Sequence, residues 1–473
     1  MRITFIGHAS LLIEANGLSI VSDPWWNGPC FGAQWWPYPM PHVEAVRDRR
    51  VDYVYVSHGH HDHFHPPTLR LFREAKILVA EGSELAQGIR GLGFEVIECG
   101  GDGETDLGSG VRGRIMETYA DDTLMAVSAG GETCLNVNDS LHAAPDAIQQ
   151  KFFRLIRQLY GRPDYVFCGY GTASHFPNCY VLPGKDRAAT AAMRQAYFNR
   201  AWAKIIRELE PRFGFPFAAD VAFLDDELFW CNEPVHNAER PTEAFAKLAG
   251  TTGPTRVVDI APGFTVEGGQ ILRHEVRGRL EADALRRAYG DAIRRVNREG
   301  SIDAQTVREL VDTMGANAAK GAEYFAGYPG DYRCLIRIKG ASTGIEVAKV
   351  GPRVTVTATD GTAPGPARYD VIYRTRASYL RQSLVTPYGH EVLFVGSGGT
   401  FEFPSVTSVG SGVHREIMTM VKPWTGSGPR RASGKPGGLS TVKRAVKRLL
   451  GRSRPDLYDL QTWTVFQGRM TKA

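Results

Sequence analysis

No stretch of this 473-residue sequence approaches the ~20 consecutive apolar residues that a membrane-spanning helix needs, so no span is expected. The seven cysteines, Cys30, Cys99, Cys134, Cys168, Cys179, Cys231 and Cys334, form no C-x-x-C and no short even-numbered framework. That excludes a disulfide-stapled scaffold and predicts reduced thiols in a cytoplasmic setting. The opening, Met1 to His8, alternates into polar residues and lacks the apolar run of a signal peptide. A G-x-x-x-x-G-K-[ST] phosphate loop is missing, and the run Gly100-Gly101-Asp102-Gly103 reads as a turn. There is no convincing G-x-S-x-G elbow and no repeat of fixed period.

A strong excess of one charge is also lacking. The formal net charge is +5, yet residues 429–454 alone hold nine Lys/Arg and no Asp/Glu, which leaves the rest slightly acidic. In that segment Val442, Ala445, Val446 and Leu449 recur at helical spacing opposite Lys and Arg. Such a helix suits a membrane surface, nucleic acid or an acidic protein, but more often it is a solvated helix beside a Gly/Ser/Pro linker, here 426–440. It gives no firm nucleic-acid or membrane signal.

With 43% hydrophobic residues the chain is long enough for two cores. Three short strands open it (2–6, 9–14 and 18–22), with Asn16-Gly17 as a hairpin turn. The apolar run 51–56 reads as a buried strand. Helices and strands then alternate: helix 67–74, strand 76–80, helix 84–92, strand 95–99. Strands follow at 111–116, 125–129, 133–137 and 165–168, with a long helix over 185–210. This order suggests two sheets covered outside by helices. After Leu272 the character changes to charged helices (281–298, 304–326) and β-type alternation (334–339, 353–359). The expected division is a catalytic domain over 1–272 and an α+β accessory domain over 273–473.

The chemistry concentrates in Ser57-His58-Gly59-His60-His61-Asp62-His63. The spacing His58-x-His60-x-Asp62-His63 packs four metal-ligand side chains into six residues, directly after a buried strand, where a loop turns several side chains toward one point. Neutral imidazoles bind transition metals through nitrogen, and the carboxylate adds a hard charged oxygen. A solvated His-rich turn is the bland alternative. His61 and His65 fall outside the spacing and read as bystanders.

This loop resembles the H-x-H-x-D-H motif of the metallo-β-lactamase superfamily, which implies an α/β fold of αββα sandwich type. In that family the first pair helps bind one metal and the last pair a second. The resemblance makes Asp139, at the end of a later strand, the bridging acid; alone, Asp139 would read as a turn or cap residue. A further resemblance is to the metallo-β-lactamase-like portion of the CMP-N-acetylneuraminate hydroxylases. It rests on Gly7-His8-Ala9, Asp23-Pro24-Trp25, Trp35-Trp36, the metal loop, Leu135-Asn136 with Asp139, Pro216-Phe217-Ala218 and Pro262-Gly263, and more faintly on Trp463 with Phe466-Gln467.

Two departures bear on the metal. A third histidine is expected before Asp139, and Glu117 is the nearest usable ligand; the final histidine expected after Pro216-Phe217-Ala218 falls close to Asp225-Asp226, which makes Asp225 the candidate there. Counting His58, His60, Asp62, His63, Asp139, Glu117 and Asp225 as metal ligands gives a carboxylate-rich set that suits iron or manganese better than zinc. The other reading makes Glu117 and Asp225 surface acids. His8 and Asp23, at strand ends, are expected to support the ligands from behind, or to make buried structural hydrogen bonds. The tryptophan-rich loop 25–38 is expected either to wall a substrate cleft or to pack as a satellite cluster.

The resemblance thus implies a dinuclear iron oxygenase of hydroxylase type, in which Asp62 and Asp139 are catalytic and the small-molecule substrate is polar, sugar- or nucleotide-linked. No C-x-H paired with a later C-x-x-H occurs in these residues, so the Rieske domain of the sialate hydroxylases is not expected here and electrons would come from a separate electron-donor protein. The competing expectation is a zinc or manganese hydrolase that cleaves a phosphoester or amide. A degenerate, non-catalytic binding protein is the third.

Overall fold

The computed structural model describes residues 1–426 except 119–121, 143, 172–178, 182–183, 185, 234–236, 238, 251–252, 277, 299, 321–330, 361–367, 387–388, 394, 405–420 and 422–423. The basic segment 429–454 and Trp463, Phe466 and Gln467 lie outside the described residues. The chain forms two compact units: Met1–Ala173, Ala191–Leu224 and Phe229–Gly290, and then Ser174–Thr190, Asp225–Leu228 and Asp291–Ala473. The change of unit therefore falls at Gly290 rather than 272, and two short pieces of the earlier sequence group with the second unit.

In the first unit, strands Arg2–Gly7, Ser10–Ala15 and Leu18–Ser22 form an antiparallel meander. Ala15 faces Leu18 across Asn16-Gly17, whose φ values of 50° and 79° are both left-handed, as a two-residue hairpin turn requires. The chain then switches to parallel pairing: Leu18–Ser22 with Tyr53–Tyr55, next Lys76–Ala80, next Val96–Cys99. Parallel strands are covered on both faces, which accounts for the unbroken apolar runs around Val54 and Ile77. Thr265–Glu267 and Gln270–Arg273 extend the other side of this sheet.

A second sheet runs in the order Arg256–Val257, Phe213–Phe217, Tyr165–Gly169, Glu132–Asn138, Thr123–Ala129, Val111–Glu117, Thr105–Gly108. Between the sheets lies one buried cluster, with Ile3, Phe5, Leu11, Ile20 and Tyr55 from the first and Ile115, Met125, Val127, Phe167 and Phe215 from the second. Helices Asp146–Tyr160, Arg187–Leu209 and Pro241–Ala249 cover the outer face of the second sheet through Phe153, Ile156, Trp202, Ile206 and Phe245. Leu69, Phe72, Ala86 and Ile89 cover the outer face of the first. This is the αββα layering expected from the sequence. Each sheet buries apolar side chains on both faces, and polar residues concentrate at the strand ends.

In the second unit, Tyr180–Val181, Gly399–Glu402, Val371–Thr375, Tyr332–Ile338, Thr343–Val350 and Arg353–Asp360 form a sheet in that order. The sequence Gly340-Ala-Ser342-Thr-Gly344 lies in the hairpin between two antiparallel strands. It therefore lacks the strand-to-helix turn that a nucleophile elbow needs. Among the described residues no helix is long and apolar enough to cross a membrane.

Asp225 belongs to this second unit, and the expectation that it is a metal ligand is corrected here. Its Oδ2 accepts from Arg376 Nε and, at 3.4 Å, from Tyr379 OH. Arg376 is itself buried and also donates to Asp226 Oδ1 and Asn297 Oδ1 at 2.9 and 2.7 Å. A buried guanidinium holds its partner carboxylate by charge and geometry together. Replacing Asp225 with Ala should lower stability by about 3 kcal/mol in thermal unfolding while leaving metal content unchanged.

Candidate metal centre

The parallel strands of the first sheet release the chain at one edge, and the second sheet delivers Asn138-Asp139 to the same cluster. Four non-glycine residues at these strand ends adopt left-handed φ: His8 (48°), Asp23 (35°), Asn138 (53°) and Ala218 (52°). His, Asp and Asn tolerate this region better than most residues, and backbone strain of about 1–3 kcal/mol each persists where surrounding structure enforces it. The turn reverses the chain after each strand and aims the next side chain inward. His63 N and Phe64 N both bond His60 O (3.0 and 2.7 Å), closing the histidine loop on itself.

Asp23, fully buried, is the hub of the loop. It accepts from Ser57 N and Ser57 Oγ (both 2.8 Å) and Asn138 Nδ2 (2.7 Å), and His63 Nδ1 lies 3.1 Å away. Tying Nδ1 to a carboxylate fixes the tautomer and presents Nε2 outward, as expected behind a metal-ligating histidine. Nε2 of His63 sits 3.3 Å from Asp62 Oδ2 and 3.4 Å from Asp139 Oδ2, yet it has no hydrogen-bond partner although fully buried. His58 Nε2 lies 2.9 Å from His60 Nδ1, and Ser57 Oγ meets His58 Nδ1 at 3.0 Å. Ser57 is anchored in turn: Thr123 Oγ1, 2.7 Å from Tyr55 OH of the first sheet, donates to Ser57 O at 2.7 Å.

Two groups of three side chains converge so that their ligand atoms lie within 4.8 Å of one another: His58, His63 and Asp139, and His8, Asp62 and His63. Burial and neighbouring rings lower His58 and His60 to about 4, which keeps both imidazoles neutral and able to bind a cation. Burial alone would raise the Asp62 carboxyl, but the charge of His63 first, and His8 beside it, hold it well below the usual carboxylate range. Asp139 is held down in the same way, mainly by His63. Burial would lower His63, and Asp62, Asp139 and Asp23 together lift it well above its ordinary value. A proton on His63 thus balances an acidic cluster, which is the task a bound cation would take over. An orphaned buried nitrogen, neutral imidazoles and depressed carboxylates form a donor set that fits divalent metal.

The metal-free protein should lose stability as pH falls from about 6.5 to about 4. In that window the unfolded chain protonates His58 and His60 while the folded protein refuses the protons, so stability rises with pH. His63 contributes its stability in full throughout this window and loses it only as pH rises through its raised value; Asp62 and Asp139 lose theirs below the window. Urea midpoints in chelator at pH 7 and pH 5 measure the drop.

Of the expected residues, His58, His60, Asp62, His63 and Asp139 come together, with Asp23 behind His63. His8 stands in the cluster itself, its Nε2 3.0 Å from Asp62 Oδ2. Glu117 does not join them: it closes strand Val111–Glu117, pairs through its backbone with Thr123, and is exposed. The carboxylate-rich ligand count is corrected accordingly. His61 stacks on Phe31 with centroids 4.8 Å apart, and His65 Nδ1 meets Thr68 Oγ1 at 2.8 Å, as suits bystanders. Residues not foreseen include Asn138, Ser57 and Asp122, whose Oδ1 lies 3.9 Å from His58 Nε2. Asp122 was signalled only by its place in the turn before strand Thr123–Ala129.

Gly169 shows how tightly Asp139 is seated. A Cβ there would lie 2.8 Å from Asn138 O and 2.9 Å from Asp139 Oδ1. Gly169→Ala should therefore displace the carboxylate and weaken metal affinity about tenfold, measured by competition with a chromophoric chelator.

The family model of the beta-lactamase superfamily domain matches residues 2–134. Residues 2–134 are thus similar to the beta-lactamase superfamily domain. The matched stretch ends within strand Glu132–Asn138, short of Asp139. A Mycolicibacterium smegmatis protein named for a Rieske 2Fe-2S iron–sulfur centre is 30% identical over 246 residues, 48% of this chain and 45% of that protein. The cytidine monophosphate-N-acetylneuraminic acid hydroxylase of Asterias rubens is 36% identical over 75 residues, 16% of this chain and 12% of the hydroxylase. The chain thus spans less than half the length of the curated relatives it matches. Among solved structures, a metallo hydrolase from Ignicoccus hospitalis is 19% identical with a TM-score of 0.37, covering 56% of this chain and 97% of that one.

Proposed function

We propose that this chain forms the metal centre of an iron-dependent oxygenase of hydroxylase type, acting on a polar, sugar- or nucleotide-linked small molecule. The observation that carries the reading is the likeness to relatives named for a Rieske centre and for hydroxylation. His58, His60 and Asp139 would hold one cation; Asp62 and His63, with Asp139 between, a second. An iron pair held there would, when reduced, supply electrons and open coordination positions for dioxygen. The protein's own part is orientation. Asp23 locks the His63 ring, Ser57 steadies His58, and the buried surroundings keep the carboxylates charged by pairing rather than by water.

A narrow crevice lined by Phe5, His8, Pro39, Tyr170, Phe217 and Asp220 adjoins the cluster at His8. Tyr170 OH donates to Asp220 Oδ2 at 3.1 Å and accepts from Arg240 Nη1 at 3.1 Å. Electrons would arrive from a separate Rieske-type donor, for which the basic residues 429–454 offer an electrostatic dock.

A second reading, a zinc or manganese hydrolase of a phosphoester or amide, is favoured by one observation. With Glu117 and Asp225 outside the cluster, histidines outnumber carboxylates in it. Metal analysis of protein purified without added metal separates the readings. About two irons, with oxygen uptake on reduction, is the expected result. Zinc with phosphodiesterase or amidase turnover and no oxygen uptake would replace the oxygenase by the hydrolase. Protein that binds no metal would be a binding protein.

A further inference from the structure

We infer that His8 is itself a metal ligand, completing through Nε2 a cation position with Asp62 and His63. The inference rests on the two-metal reading above and adds a ligand to it. The three side chains are all buried, and their ligand atoms converge within 4.8 Å.

The orientation of the two imidazoles carries the assignment. His63 has Nδ1 committed to Asp23 Oδ2 at 3.1 Å, and its buried Nε2 lacks a hydrogen-bond partner. His8 repeats the arrangement: Nδ1 lies 3.2 Å from the Asp220 carbonyl oxygen, and Nε2 points the other way. Both Nε2 atoms face one oxygen, Asp62 Oδ2, at 3.0 Å from His8 and 3.3 Å from His63. A carbonyl and a carboxylate are both acceptors. In the tautomer that donates from Nδ1 to Asp220 O, Nε2 presents its lone pair at the point that His63 Nε2 and Asp62 Oδ2 also face. Two imidazole nitrogens and a carboxylate oxygen around one point are what a divalent cation binds.

The backbone supports the same conclusion. His8 is held at φ 48° directly after its strand. Its carbonyl accepts from Ala218 N at 2.9 Å, and Trp25 packs edge-on against its ring at 5.1 Å. The loop Ala218-Ala219-Asp220, which follows strand Phe213–Phe217, offers no histidine. It contributes instead the carbonyl that orients His8. A ligand from the first strand takes the place of one from the loop that follows strand Phe213–Phe217.

The test loads metal-free protein with cobalt(II) under nitrogen and counts tightly bound metal in wild type, His8→Ala, His8→Gln and, as control, His61→Ala. Wild type and His61→Ala should bind two equivalents. Both His8 variants should keep one and bind the second at least about tenfold more weakly, with an altered visible spectrum, and added imidazole should restore the second equivalent to His8→Ala. Circular dichroism checks the fold, and His8→Gln carries the test if the alanine variant does not fold. Two equivalents at wild-type affinity with an unchanged cobalt spectrum in the His8 variants would overturn the assignment and leave the two-metal reading standing. Fewer than two equivalents in wild type would overturn that reading, and His8 with it.

Discussion

Asp139→Ala should cost the protein its metal and its activity together, with turnover falling by more than about a hundredfold, beyond what loss of an outer partner alone produces. Asp139 stands where the two sheets meet. Its Oδ2 lies 3.4 Å from His63 Nε2, and it groups with His58 and His63. Removing it takes away the only carboxylate of the group it forms with His58 and His63, and leaves His63 Nε2 facing Asp62 Oδ2. With its side chain 30% exposed, the loss opens no large cavity, so circular dichroism should stay near wild type and the melting temperature should match that of metal-stripped wild type rather than loaded protein. Metal content by mass spectrometry measures the effect, and His58→Ala should fall with it. Full metal content in both variants would show the ligand assignment to be wrong.

Asp23→Ala should have the opposite profile, with a large stability loss and a smaller loss of affinity. Asp23 touches no cation position in this arrangement, yet it gathers Ser57 N, Ser57 Oγ, Asn138 Nδ2 and His63 Nδ1 around one carboxylate. Alanine leaves these buried donors without their acceptor and leaves His63 free to rotate. The expected cost is about 3–5 kcal/mol for breaking a buried charged network, read from urea denaturation. Metal affinity should weaken by ~10–100-fold. Asp23→Asn should fall between, because its amide keeps one acceptor but turns an NH₂ toward donors. Unchanged stability would mean that the loop is held by its own backbone.

Much of this was legible in the sequence because it is local. Asn16-Gly17 specifies a hairpin through its left-handed φ values, and unbroken runs such as Ile77-Leu78-Val79 specify buried parallel strands. The strand at Lys76–Ala80 and the long helix at Arg187–Leu209 fall where pattern put them, to within two residues. The histidine loop was legible for the same reason: its ligands lie within six residues and one strand end delivers them all. Glu117 and Asp225 were misjudged because their roles depend on long-range pairing. Strand register with Thr123–Ala129 leaves Glu117 exposed, and Asp225 is claimed by Arg376, 151 residues away. Nothing near Asp225 in the sequence announces that arginine. His8 was placed near the ligands from the sequence, but its contacts with Asp220 O and Asp62 Oδ2 depend on chain segments far from it.

The link Tyr55–Thr123–Ser57 joins the sheets at the foot of the histidine loop, and Asp139 reaches the same cluster from the opposite sheet. A cation gripped from both sides is then a rivet through the sandwich. Loaded protein would resist any parting of its sheets, whereas in the stripped protein the first ångström of swelling would be felt at the ligands before anywhere else. Metal occupancy and the tightness of the core would rise and fall as one property.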